Sequence, residues 1–423
     1  MCGKPAGRAW YHAAARARSG KESPLAQTAI RGRVGDAAPA LTAPRAPLAL
    51  AAADALYRRV VFPLLSRGDA ERVHELTLVL LARLSASPAA CRLVARLLAY
   101  EHPALAIERL GLRFPNPLGL AAGCDKNGIA VPAFAALGFG HVEVGTVTPV
   151  PQPGNLRPRV WRLRADAALV NAMGFPSEGA AAMAGHLARW RALQARGAIA
   201  PIPIGANLGK NKVTPIERAW DDYVRALETL YPHADYFVAN ISSPNTAGLR
   251  DLHAEELLRD LGQALGARAR TLAPPGTAPK PLLLKLSPDL TPAQLDATLA
   301  AARAGGWSGL MLGNTTVGRA GLRDPNQARP GGVSGRPILP RTIELVRVLR
   351  REMPRDWALV AVGGVMDAEG AWALLRAGAD LVQAYTGFVY GGPAFAGQVC
   401  RGLVARLAAH GCRSLAEVVG ADA

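Results

Sequence analysis

Small polar side chains gather in eight short segments of this chain. They are Ala122-Gly-Cys-Asp-Lys-Asn-Gly128, Thr146-Val-Thr-Pro149, Asn207-Leu-Gly-Lys210, Asn240-Ile-Ser-Ser-Pro-Asn-Thr246, Lys285, Asn314-Thr-Thr316, Gly363-Gly364 and Tyr385-Thr-Gly387. Amides, hydroxyls, lysines and glycines dominate the set, which has no histidine and almost no carboxylate. Metal-assisted hydrolysis needs His/carboxylate ligands and glycosidase chemistry needs two facing carboxylates, so the composition argues against both. It suits a flat ligand with many polar edges, together with an anion. Gly363 and Gly364, with Gly331-Gly-Val-Ser-Gly335 ahead of them, fit a phosphate cradle of backbone N–H groups, although such loops also occur as plain tight turns. Lys126 and Lys285 are expected to be buried, where an unpaired ammonium is costly, so both should face anions in the bound state. The five cysteines (Cys2, Cys91, Cys124, Cys400, Cys412) form no CxxC pair and have no histidine at ligand spacing. A reducing compartment and no structural metal are expected.

Each polar segment follows a short apolar run: Leu118–Gly123, Val142–Thr146, Ile202–Leu208, Tyr236–Ile241, Leu282–Leu286, Gly309–Gly313, Leu359–Gly363 and Leu381–Tyr385. Runs this continuous are what strands buried on both faces of a parallel sheet require. Between them, stretches such as Ala219–Leu230, Ala293–Ala304 and Arg341–Arg351 carry helical spacing. Eight regular β/α alternations predict an α/β fold, a closed (β/α)8 TIM barrel over residues 105–410, in preference to an open doubly wound sheet. The polar segments then lie at the carboxyl ends of the strands, where barrel active sites form. Residues 411–423 read as a tail.

Ahead of the barrel, residues 1–53 are rich in Ala, Arg, Pro and Gly without an amphipathic period, and read as a disordered extension. Residues 54–104 read as a helical module. Asp69 can cap a helix through Val73, Leu76, Leu80 and Leu84, and Ser87-Pro88 can start a second through Leu93, Val94, Leu97 and Leu98. Arginines interleave with these apolar faces, so residues 54–100 could lie in a membrane interface or simply pack on the barrel. No apolar stretch approaches the ~18–20 residues that a span needs. The formal charge is +17, of which residues 1–50 contribute +6; the remaining basic residues are scattered. Without a basic block interleaved with aromatics, an anionic membrane surface or acidic substrate explains the charge at least as well as nucleic acid, and no nucleic-acid partner is expected.

Four long motifs occur together. They are Leu118-Gly-Leu-Ala-Ala-Gly-Cys-Asp-Lys-Asn-Gly128, Gly145-Thr-Val-Thr-Pro149 with Pro151-Gln-Pro-Gly-Asn155, Asn240-Ile-Ser-Ser-Pro-Asn-Thr-Ala-Gly-Leu-Arg250, and Gly332-Val-Ser-Gly-Arg-Pro337. In order and spacing they resemble the dihydroorotate dehydrogenases, and the similarity extends from about residue 56 to 405. The resemblance implies an FMN flavoprotein that oxidises dihydroorotate to orotate in pyrimidine biosynthesis. A serine at position 243, where soluble members carry cysteine, and the helical module ahead of the barrel both resemble the quinone-reducing, membrane-associated class. For that class the module implies a tunnel for a membrane quinone, with peripheral attachment to the cytoplasmic side of a bacterial-type cell membrane favoured over the mitochondrial inner membrane.

By the same resemblance, Ser243 is the base that takes the C5 proton while the C6 hydride goes to FMN N5. Ala122, Gly123, Thr146, Asn207, Asn240, Lys285, Gly313, Gly335, Gly364, Tyr385 and Thr386 match FMN-contacting positions, Lys285 near N1 and O2. Lys126, Asn171, Ala172, Met173, Gly174, Phe175, Asn240, Asn245, Asn314 and Thr315 match substrate-binding positions. Ala172 and Pro176 depart from the usual arginine and asparagine, Gly313 from a threonine or serine, and Cys124 from a leucine or phenylalanine. Cys124 follows the first strand, so it is misplaced as a rival base, and His253 reads as a loop histidine. Two alternatives stay open: a barrel enzyme with another substrate, and a non-enzymatic peripheral membrane protein.

Overall fold

The computed structural model describes residues 41, 47–242 and 255–423. Residues 40–423 form one compact unit. Eight parallel strands close a barrel: β1 (Leu118–Leu120), β2 (His141–Val147), β3 (Ile204–Leu208), β4 (Tyr236–Asn240), β5 (Leu282–Leu286), β6 (Gly309–Leu312), β7 (Ala358–Val362) and β8 (Leu381–Ala384), with β8 pairing back onto β1. All eight predicted runs are these strands.

Alternation within the strands divides the core. Val142, Ile204, Leu284, Leu310 and Leu359 face outward beneath the helices, whereas Tyr236, Val238, Leu283, Met311 and Val360 fill the barrel with Phe114. Phe114 comes from a hairpin, Ile107–Arg109 paired with Leu112–Phe114. Two rings reach the axis only because the facing residue is glycine. A Cβ on Gly119 would stand 2.0 Å from His141 Nε2, and one on Gly205 would stand 2.2 Å from the Tyr236 ring.

A three-stranded antiparallel sheet combines Val160–Leu163, Ala168–Asn171 and Gly332–Gly335. The stretch 331–335, read from sequence as a glycine loop, therefore supplies a strand. Residues 332–335 stand in antiparallel register with 171–168, and the Val333 backbone pairs on its other side with Thr316.

The N-terminal segment forms α1 (Leu48–Leu56), a π-turn over Tyr57–Val61, α2 (Phe62–Leu65), α3 (Ala70–Ser85) and α4 (Pro88–Leu98). Both predicted caps form: Asp69 accepts from Arg72 N at 2.9 Å, and Ser87 accepts from Ala90 N with Pro88 in the first turn. Helix α1 begins inside the stretch read as disordered. Its Leu/Ala run has high helix propensity, and Leu50 is fully buried, lying close to Gly397 of the last long helix, Phe395–Ala409. At the other end, Leu415 and Val418 are buried, so residues 411–423 dock on the barrel and do not hang free.

No single helix among the described residues is long and apolar enough to cross a membrane; α3 and α4 reach that composition only as a pair bent by 110°. The module is fastened to the barrel by polar contacts. The Tyr57 hydroxyl donates to Val389 O at 2.7 Å, Arg162 donates to Gly68 O at 2.7 Å, and Ser85 Oγ accepts from Ala133 N at 3.0 Å.

Candidate active site

One continuous cavity of about 570 Å³ runs from the carboxyl ends of the barrel strands to the space between α1, α2 and α3. Its barrel end is lined by Ala122, Gly123, Thr146, Asn171, Asn240, Lys285, Asn314, Thr315, Gly335, Gly364 and Thr386. The module end is lined by Leu56, Val61, Phe62, Leu65, Val73, Leu78 and Leu81. Lys126, His74, Arg162 and Tyr385 line it too, with Met173, Gly174, Phe175 and Pro176.

The barrel end is a hydrogen-bonded array. Asn240 Nδ2 donates to Thr146 Oγ1 at 2.9 Å and to Asn207 Oδ1 at 3.2 Å, and the Thr146 hydroxyl donates to Asn207 Oδ1 at 2.5 Å. Asn314 Nδ2 donates to Ser242 Oγ at 3.0 Å, and that hydroxyl donates to Asn240 Oδ1 at 3.2 Å. Lys285 Nζ stands 3.4 Å from Glu143 Oε1, with the two side chains 4% and 0% exposed. A buried Lys285 is expected to face an anion, and the protein's own Glu143 supplies one. Ser334 and Thr386 share a hydroxyl hydrogen bond of 2.8 Å.

At the junction, Lys126 Nζ lies 3.4 Å from His74 Nε2 of α3. Burial pulls the His74 imidazole down to about 3, helped by the Lys126 charge, so the ring is neutral at ordinary pH and can accept from the ammonium. Burial also lowers Lys126. It pushes Tyr385 and Cys124 up, so neither the phenol nor the thiol ionises readily. Cys124 lines the cavity as a neutral, packed side chain.

Glu71 of α3 forms a buried ion pair with Arg159, accepting from Nη2 at 2.8 Å and Nε at 3.0 Å. Arg159 also donates to Pro153 O and Asn155 O, each at 2.7 Å. Asn155 Nδ2 then donates to Ala172 O at 3.0 Å, and its N–H to Met173 O at 2.9 Å. The module thereby braces segment 171–175.

Most of the residues predicted for the site meet in this cavity, with three kinds of exception. Asn207 stands behind the lining and orients Asn240. Ala172 and Gly313 do not line the cavity. Gly313 has φ +114°, and a Cβ there would stand 1.6 Å from Val362 O, so a side chain at 313 is excluded by this backbone. Ser243 and Asn245, together with His253, lie outside the described residues. Sequence reasoning missed Glu143, His74, Glu71, Arg159 and Arg162. A usable signal existed for Glu143, since His141, Glu143 and Gly145 alternate with Val142 and Val144, which puts a carboxylate on the inner face.

A closed parallel barrel with an amide-lined mouth and an attached apolar helical chamber describes a class of ligand-binding barrel enzymes. Residues 104–407 match the dihydroorotate dehydrogenase family. A protein of Thermobifida fusca (strain YX) named dihydroorotate dehydrogenase (quinone) is 47% identical over 371 residues, covering 87% of this chain and 97% of the relative. One of Thermus thermophilus with the same name is 49% identical over 350 residues, covering 83% and 97%. The crystal structure of the Eimeria tenella enzyme in complex with ferulenol superposes with a TM-score of 0.76 at 34% identity, covering 86% of this chain and 98% of that one. The chain belongs to the dihydroorotate dehydrogenase family, which is flavin-dependent.

Proposed function

We propose that this chain oxidises dihydroorotate to orotate in pyrimidine biosynthesis, with FMN as cofactor and a membrane quinone as electron acceptor. The observation that carries the reading is the single cavity, polar at the barrel mouth and apolar between the helices. Two substrates of opposite character can approach one buried cofactor from its two ends.

The residues present fit a flavin. Gly123 has φ +97°, and a Cβ added to it would enter open space at the cavity wall, leaving a flat surface for a ring. Ala122, Gly123, Thr146, Asn240 and Lys285 would hold the ring system, and Gly335, Gly364, Tyr385 and Thr386 the phosphate end. When bound, FMN supplies the hydride acceptor.

The protein's part is proton removal, orientation and water exclusion. Of the serine pair, Ser242 is fully enclosed and its hydroxyl is committed, donating to Asn240 and accepting from Asn314. Its neighbour Ser243 is the base in this reading. A serine hydroxyl is a weak base, so proton removal requires a dry, closed site and speeds up toward alkaline pH. Asn171, Asn240, Asn245 and Asn314 with Thr315 orient the planar substrate, and Lys126 offers it a positive charge. Segment 171–175 covers it.

The chamber between α1, α2 and α3 admits the quinone, with neutral His74, Arg162 and Tyr385 as polar contacts near the barrel. Leu48, Leu56, Leu64, Leu76, Leu93 and Leu97 are exposed on the same module. An apolar face flanked by arginines suits peripheral attachment to the cytoplasmic side of a cell membrane.

The test begins with purified protein. It should be yellow, bleach anaerobically with dihydroorotate and recover colour with a quinone. Colourless protein that binds anionic vesicles would favour the non-enzymatic alternative, and flavin unbleached by dihydroorotate would favour another substrate.

A further inference from the structure

Glu143 sits in the middle of β2, and its side chain has no solvent exposure. Three donors from three other strands converge on its carboxylate. They are Asn207 Nδ2 at 2.7 Å, Gln383 Nε2 at 2.8 Å and Lys285 Nζ at 3.4 Å. An ionised carboxylate only accepts hydrogen bonds, so both amides must turn their NH2 groups toward it. The orientation of Asn207 is thereby decided, with Oδ1 facing Thr146 and Asn240. Thr146 Oγ–H and Asn240 Nδ2–H both point at that oxygen. Asn240 in turn has only one way round, its Oδ1 toward Ser242 and Asn314. A single buried acid therefore sets the polarity of the amide array at the cavity mouth. The same acid neutralises Lys285, the ammonium that lines the cavity floor.

We infer that Glu143 is a positioning residue for the flavin: it fixes the donor–acceptor polarity of the Asn207–Asn240 array and offsets the Lys285 charge, so that the Glu143–Lys285 pair, not a bare ammonium, sets the reduction potential of the bound cofactor. The inference rests on FMN occupying the barrel end of the cavity. Charge accumulates on a flavin as it is reduced, and an uncompensated cation in a low-dielectric pocket favours the reduced form. Removing the negative partner should make reduction easier, even though Glu143 does not line the cavity and touches no ligand there.

The test is the flavin midpoint potential, measured by equilibration with redox dyes, in wild-type protein, Glu143→Asp and Glu143→Gln. Flavin content is recorded beside it. The expected order is wild type lowest, Glu143→Asp intermediate and Glu143→Gln most positive. Asp keeps the charge but withdraws it by one methylene, whereas Gln removes it. A purely architectural role would lower flavin content and leave the potential of the retained flavin at the wild-type value, and that result overturns the inference. Should Glu143→Gln fail to fold, Glu143→Asp against wild type decides the matter, since an unshifted potential there also overturns it. Wild-type protein without flavin would instead refute the cofactor reading on which this one stands.

Discussion

The two ends of the cavity are built on opposite principles. At the barrel end, four amides, two hydroxyls, a lysine and a glutamate occupy fixed places on six of the eight strands or their carboxyl ends, and each hydrogen bond limits how the next can form. At the module end, leucines, valines and a phenylalanine surround open space, with a few polar groups near the junction. The first arrangement selects a ligand by its polar edges; the second selects by apolar volume and tolerates variation in shape. Ring chemistry needs the precision of the first, and a diffusing lipid-soluble partner needs only the access of the second. The lesson is that the fold keeps specificity on rigid strands and access on short helices.

The sharpest way to break this division is at the proposed base. Ser243→Ala should keep its flavin but lose on the order of 10²–10⁴-fold in the rate of flavin reduction by dihydroorotate, measured by anaerobic stopped flow. Reduction at the wild-type rate would remove serine from the mechanism. A wild-type rate that stays flat from acid to alkaline pH would count against it equally.

The second test concerns whether the ends are separable. An independent module could be removed without consequence for the polar end, but Glu71 makes that division incomplete. Glu71→Ala leaves Arg159 buried without its carboxylate, a loss of about 3–5 kcal/mol. Because Arg159 holds Pro153 and Asn155 against segment 171–175, the Michaelis constant for dihydroorotate should rise as well. A Glu71→Ala protein of wild-type stability and unchanged affinity would show that the ends are independent.

Acid should expose a smaller weakness. His74 is held neutral when folded, with a pKa near 3, whereas an unfolded histidine titrates near 6.5. Between those values the unfolded state binds the extra proton, so stability falls as pH drops from about 6.5 toward 3 and is unaffected above that window. The slope is about 1.4 kcal/mol per pH unit for each such histidine, and His141, also near 3 through burial, adds its own. His74→Gln should remove about half of this joint slope in denaturant titrations between pH 6 and 4; an unchanged slope would contradict the neutral assignment.

The smallest effect on folding is expected where the membrane reading is most exposed. Leu76→Ser with Leu93→Ser should alter stability by no more than about 0.5 kcal/mol per site, since both side chains are largely in solvent. Co-sedimentation with anionic vesicles should fall sharply. Unimpaired sedimentation would mean that this face does not meet lipid.

Legibility from sequence follows the same divide. The eight strands were readable because parallel strands buried on both faces must be continuously apolar, and the caps at Asp69 and Ser87 because capping chemistry is local. The residues at the strand ends were readable as a set because barrel geometry gathers them. For Glu143 alternation could show the inner face but not the role, since its partners Asn207, Lys285 and Gln383 lie up to 240 residues away and only closure of the barrel joins them. His74 and Glu71 were hidden for a related reason: one polar residue on an amphipathic helix reads as a solvated position until the helix is docked, and Arg159, just ahead of the strand Val160–Leu163, finds its carboxylate only then. Gly313 departs from the threonine or serine of the family it resembles, yet its φ and its closeness to Val362 O make glycine a requirement of this backbone. The start of α1 was missed because an Ala-rich stretch carries no amphipathic period even where it is helical.

The central claim is that one cavity serves two substrates from two ends. Thr77 lines the module end, and among the described residues its hydroxyl bonds only to Val73 O of its own helix, so Thr77→Phe should fill open space at little cost to the fold. In an anaerobic double-mixing experiment, the variant should be reduced by dihydroorotate at the wild-type rate and reoxidised by quinone far more slowly. Slowing of both half-reactions alike, or of neither, would contradict the account.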